Sequence, residues 1–175
     1  MFTRIRRALL LFVLALAAGP MPLQAQRPVH VAPNAPRDRP MDADSCLQAA
    51  ADKAIGPIML QARATYPEAR DRFLHGLPPR QSFFVVTELR DSSGRRERVF
   101  VAVDSILPDS DGASRIAGRI WNEIRLVSGY ALFQPYTLPE GDVMDWLITR
   151  PDGTEEGNLI GNFFDHWQVP AECRR

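Results

Sequence analysis

Ser82-Phe83-Phe84-Val85-Val86-Thr87-Glu88-Leu89-Arg90 is the stretch where the chain changes period, from the three- and four-residue steps of a helix to the two-residue step of a strand. Phe83, Val85, Thr87 and Leu89 fall on one side and Phe84 and Val86 on the other, so both faces of this strand are apolar and both call for cover. Asp91-Ser92-Ser93-Gly94 turns the chain into Arg98–Ile106, where Val99, Val101 and Val103 share one face. Asp109-Ser110-Asp111-Gly112 turns it again into Arg115–Trp121, and a loop from Asn122 to Gly129 leads to Tyr130–Leu138. Beyond Pro139-Glu140-Gly141, Val143–Arg150 alternates Met144, Trp146 and Ile148 with Asp145, Leu147 and Thr149. Pro151-Asp152-Gly153 has hairpin-turn chemistry, and Asn158–Trp167 reads as a last strand. Five or six short strands joined by tight turns predict an antiparallel meander.

Upstream the pattern is helical. Leu47, Ala50, Ala51, Ala54, Ile55, Ile58, Met59 and Ala62 make one apolar stripe behind the N-cap candidates Asp44 and Ser45. Gly56-Pro57 should kink or interrupt that helix, and Thr65-Tyr66-Pro67-Glu68 has the form of a capping box that opens a second one. Tyr66, Ala69, Arg70 and Phe73 share its face, with Gly76 and Pro78-Pro79 closing it. Helices confined to the N-terminus ahead of a run of strands give an α+β class: N-terminal helices packed on a curved antiparallel sheet of five or six strands. A sheet this small is expected to curl into a partly closed, small-barrel-like form that hides its edges.

Residues 1–25 have the grammar of a secretory signal peptide: Arg4, Arg6 and Arg7, then the 11 apolar residues Ala8–Ala18, then Leu23-Gln24-Ala25 as a cleavage site. A bilayer-spanning helix needs roughly 20 apolar residues, so the segment is read as a removable address and not as an anchor. Cleavage after Ala25 predicts a periplasmic protein beginning at Gln26. Residues 26–43, with Pro28, Pro33, Pro36 and Pro40, read as a flexible spacer, and 44–175 as one domain. The mature chain carries 18 basic residues against 21 acidic ones, which gives no electrostatic reason to bind nucleic acid or an anionic membrane surface. Cys46 and Cys173 are the only cysteines. In an exporting compartment a disulfide between them is the favoured reading, beside two free thiols or a reactive thiol, and the last of these lacks a neighbouring His and a motif.

Three pieces in order, Ala62-Arg63-Ala64-Thr65-Tyr66-Pro67-Glu68, Ile116-Ala117-Gly118-Arg119-Ile120 running to Asn122 and Val127, and Val143-Met144-Asp145-Trp146 followed by Gly161-Asn162-Phe163, resemble the YegJ-like family of bacterial exported proteins. The resemblance covers roughly residues 58–165. It implies an exported domain of unknown function and carries no activity with it. Its motif positions single out Asn122, Asp145, Trp146, Gly161 and Asn162 as candidate binding or structural residues.

Neighbouring strand residues face apart, so if Trp146 joins Met144 and Ile148 in the core, Asp145 faces outwards or into a turn. There it either accepts turn amides or pairs with an Arg, or else it is a catalytic or ligand-contacting acid. Asn122 has the same two readings: satisfying backbone groups at a strand end, or making a binding contact. Asp165-His166 lacks a nucleophile elbow, and His30, His75 and His166 have no metal-ligand spacing. Asp109–Gly112 lacks the acids of a calcium loop, and no nucleotide fingerprint is present, so no metal and no cofactor is expected. Tyr130, Phe133 and Tyr136, with Phe163, Phe164 and Trp167, form a dense aromatic set. Most of it suits core packing, and some suits a groove for a peptide, a glycan or a partner's strand. The leading expectation is a non-catalytic exported interaction module for an envelope protein or peptide. The alternatives are a cell-envelope hydrolase using Asp145 with Asn122 or His166, and a small inhibitor or immunity-type protein. The sequence leaves the oligomeric state open.

Overall fold

A computed structural model describes residue 36, residues 45–108 and residues 113–174. The export segment, the spacer apart from Pro36 and the Asp109–Gly112 turn lie outside the described residues. The described chain is α+β, with the six strands β1 (Ser82–Arg90), β2 (Arg96–Pro108), β3 (Ser114–Ile120), β4 (Pro135–Pro139), β5 (Asp145–Thr149) and β6 (Glu155–Gly157). Two α-helices accompany them, α1 (Ser45–His75) and α2 (Leu159–His166), together with 3-10 turns at Glu140–Asp142 and Ala171–Cys173. All strand pairs are antiparallel in the order β4-β3-β2-β1-β5-β6. Strands β1 to β4 form the expected meander. β5 then returns to the far side of β1, which makes β1 central. β4 and β6 are the two edges and do not pair with each other, so the sheet is not closed.

The two-faced reading of β1 holds. Phe83, Val85 and Leu89 join Val99, Val101, Ile116, Ile120, Trp146 and Ile148 in one core. Phe84 and Val86 join Phe100, Ala102 and Leu147 in a second core on the opposite face. α2 and Trp121 lie on the second face, and α1 reaches both. Its C-terminal half lies on the first face, where Phe73 and Tyr66 stack on Phe83. Asp52, in its N-terminal half, bonds Arg96 and Arg98, which alternate in register with Phe100 on the second face. There α1 packs against α2.

Three sequence expectations are corrected. The predicted break at Gly56-Pro57 and the second helix start at Thr65–Glu68 are absent: α1 runs unbroken for 31 residues with Pro57 and Pro67 inside it. Both prolines face solvent, where a helix can bend away from the missing hydrogen bond, while Ala51, Ile55, Ala62, Tyr66 and Ala69 keep one buried stripe through both positions. Thr65 does not cap; its hydroxyl bonds back to the carbonyls of Gln61 and Ala62. The predicted last strand, Asn158–Trp167, is the helix α2 after a left-handed Asn158 (φ 54°). Leu159, Ile160, Phe163, Phe164 and Trp167 recur at helical steps, and the last three stack on one another. The predicted strand Tyr130–Leu138 shortens to β4, because Gln134 and Phe133 are still engaged with Ile120 in the connection from β3.

Cys46 and Cys173 form a disulfide, with Cα atoms 5.7 Å apart, tying the start of α1 to the segment after α2.

Candidate functional site

Asp145 is fully buried on the second face, in register with Val86. The expectation that it faces outwards is overturned, because β5 is covered on both sides and α2 sits directly on this carboxylate. Its Oδ1 accepts the Trp146 N–H at 2.8 Å and its Oδ2 the Ile160 N–H at 2.7 Å, in the first turn of α2. Free amides and the positive end of the helix dipole meet there, so the acid anchors α2 to the sheet. Burial pushes its pKa up to about 6, against the downward pull of those amides. The part of the expectation in which Asp145 accepts local backbone amides is what the geometry shows. Trp146 points to the first face, buried in the core as expected, and donates Nε1–H to the Thr65 hydroxyl at 3.0 Å.

The other motif residues are also held by the backbone. Asn122 is buried; its Oδ1 accepts the Phe100 N–H at 2.8 Å and its Nδ2 donates to the Glu123 carbonyl. Gly161 lies against the Asn158 side chain, and Asn162 Nδ2 donates to the Gly157 carbonyl. His166, exposed at the end of α2, has its Nδ1 on the Asn162 carbonyl. Asp145 and Asn122 are not brought together, since β1 and β2 stand between β5 and the end of β3.

Two carboxylates that the sequence does not single out fix the long loop before β4. Glu97, buried on β2, accepts the backbone N–H groups of Arg125, Leu126 and Val127. Asp91 accepts the Ser93 hydroxyl and the amides of Ser93, Arg95 and Ser128, and these bonds, the hydroxyl's foremost, hold its carboxyl well below the usual range. An acid at position 97 within an apolar alternation is the one sequence signal of this role. The loop presents Leu132 and Phe133 to solvent, Phe133 in left-handed backbone (φ 64°) with its ring edge-on to Trp121.

A cleft of about 600 Å³ lies where α1 passes the sheet. Asp52, Ile55, Met59 and Arg63 of α1 form one wall. Thr87, Glu88 and Arg90 of β1 and Arg96 of β2 form the other, with Tyr130, Tyr136, Asp142 and Met144 closing the ends. Much of its charge is internally matched: Arg96 bonds Asp52 at 2.7 Å and Glu88 at 3.3 Å, and Arg90 bonds Glu88 at 2.6 Å. Arg63 donates Nε–H to the Val143 carbonyl at 2.9 Å and makes no salt bridge among the described residues. Asp142 makes none either. Burial and the nearby Tyr130 and Asp142 raise the pKa of Tyr136, so its phenol stays protonated and able to donate. Of these lining residues the sequence reading singles out Tyr130 and Tyr136 as groove candidates. The rest come together only because β5 stops short of the end of β1.

Among the described residues no cluster of three or more His, Cys, Asp or Glu side chains suits a metal ion, and no helix is long and apolar enough to cross a membrane. Compared with known proteins, the chain matches no family model, no curated protein and no solved structure.

Proposed function

We propose that the chain is an exported, non-catalytic binding module that takes a polypeptide ligand in the cleft between α1 and β1. The observation that carries this reading is the lining of the cleft. Two methionines, two tyrosines and an arginine that makes no salt bridge among the described residues are the residue types that adaptable protein-binding surfaces favour. The volume also falls in the range of ligand sites, about 300–1,000 Å³. Asp145, the sequence candidate for an acid catalyst, has both oxygens engaged in holding α2. Export is supported by the signal-peptide grammar of residues 1–25, and a disulfide is at home in an oxidising compartment. The resemblance to YegJ-like proteins points to the same compartment.

The test is cross-linked capture from periplasmic extract with the protein beginning at Gln26. Met59→Trp, which fills the cleft, should abolish recovery of a defined partner. Phe133→Ser, an exposed change outside the cleft, should leave it intact, with both variants checked for native melting. Capture indifferent to Met59→Trp would place the binding surface elsewhere and defeat the reading.

A further inference from the structure

β5 begins too late to cover all of β1. The register on that side runs from Ser82 opposite Thr149 to Val86 opposite Asp145, and its last link is the Met144 N–H on the Val86 carbonyl at 2.8 Å. Further upstream lies the 3-10 turn Glu140–Asp142, so among the described residues Thr87–Arg90 have a strand neighbour only in β2. Backbone groups in an antiparallel strand point alternately to its two sides. The Val86 carbonyl points to the β5 side. Phe100, opposite Val86, sends its N–H to Asn122 and its carbonyl to the Trp121 N–H, away from β1. The pair Val86/Phe100 is therefore not hydrogen-bonded, nor is Glu88/Arg98 two residues on. Glu88 thus turns its N–H and C=O to the side that β5 leaves open. The cleft lies along that side, with Thr87, Glu88 and Arg90 as its wall.

We propose that this open edge is the docking line: an extended segment of a partner polypeptide enters the cleft as an added strand beside β1, in line with β5. The inference rests on the cleft being the binding site. The Glu88 N–H and C=O and the Arg90 N–H, beside an Arg90 carbonyl that accepts the Tyr130 hydroxyl at 3.1 Å, are groups that another peptide backbone complements. Thr87 is held by the Asp142 carbonyl through its hydroxyl, and the open stretch Glu88–Arg90 beyond it offers about 10 Å at roughly 3.3 Å per residue. Side chains of the added strand alternate, so one set meets Met59 and Met144. Arg63, which has no acidic partner among the described residues, meets an acidic side chain of the other set. Asp142, adjacent to the Val143 carbonyl that Arg63 holds, disfavours a second acid at the next position. The recognised segment is extended, mainly apolar and carries an acid.

The experiment uses the ¹⁵N-labelled protein from Gln26 with the acetylated, amidated pentapeptide Val-Thr-Glu-Val-Val as probe, and two N-methylated forms that block one or the other alternate set of amides. In the free protein the Glu88 amide should exchange with solvent at least about tenfold faster than those of Thr87 and Leu89, because it lacks a ladder partner. Bound peptide should protect it, and only one N-methylated form should lose binding. Arg63→Gln should weaken binding about three- to tenfold, and replacing Glu by Gln in the probe should remove that difference. Binding that both N-methylated forms retain would overturn strand addition while leaving the cleft as the site. No saturable shift at millimolar peptide, or a Glu88 amide already as protected as its neighbours, would also overturn it. Partner capture that Met59→Trp abolishes would then still stand for the cleft.

Discussion

Replacing Asp145 with Asn should change how the stability of the domain depends on pH. The buried carboxyl has a pKa near 6, against 3.8 for the same group in an unfolded chain. About two pKa units separate the protonation states by roughly 3 kcal/mol. The folded state therefore holds this proton more tightly than the unfolded state. The stability it brings is complete below about pH 4 and is lost as pH rises through about 6. Asp152 and Glu156 are shifted the other way, by turn amides in one case and by Arg72 in the other, and lose stability in acid. Both remain in the variant, so the difference between the two proteins isolates Asp145. The Asn side chain does not titrate. Its carbonyl can accept only one of the two amides and its NH₂ faces the other N–H, a cost of about 1–3 kcal/mol that does not vary with pH. Urea unfolding at about pH 7.5 and about pH 4.5 should show wild type gaining on Asp145→Asn by about 2 kcal/mol at the lower pH. An unchanged difference would refute the reasoning. It would mean that the amides of Trp146 and Ile160 outweigh burial and keep the carboxylate ionised at both values.

Removing the disulfide with Cys46→Ser and Cys173→Ser together should cost up to about 4–5 kcal/mol by the chain-entropy estimate for a span of 127 residues, read as a lower denaturation midpoint that reductant no longer changes. Trp146→Ala should cost about 3–5 kcal/mol by emptying a core site. Trp146→Phe, which mainly loses the bond to Thr65, should cost less, and its difference from wild type should shrink in a Thr65→Val background. Gly118→Ala puts a methyl against the Ala102 carbonyl oxygen across the β2–β3 pair, so it should cost about 1–3 kcal/mol, with the largest amide shifts at Val101 to Val103.

Some features of this protein are carried by local pattern. The period change at Ser82, the two apolar faces of β1, the strands β2 and β3 and the helical stripe of α1 are all legible, because burial repeats every two or every three to four residues along the chain itself. Asn158–Trp167, expected as a strand, is a helix whose step the sequence also carries, in Leu159, Ile160, Phe163, Phe164 and Trp167. Other features are decided only in three dimensions. Pro57 and Pro67 look like breaks until the stripe that runs through them finds one continuous surface to bury against. Asp145 alternates with Trp146 as a strand residue must, yet its outward side is covered by α2, and nothing near position 145 announces which amides it will meet. The cleft is a matter of register. It exists because β5 joins β1 at Val86 and no further, and strand pairing between distant segments is set by how two sheet faces and a crossing helix pack. Periodicity is a property of the chain, whereas the partner of a buried acid and the end of a strand pair belong to the packed fold.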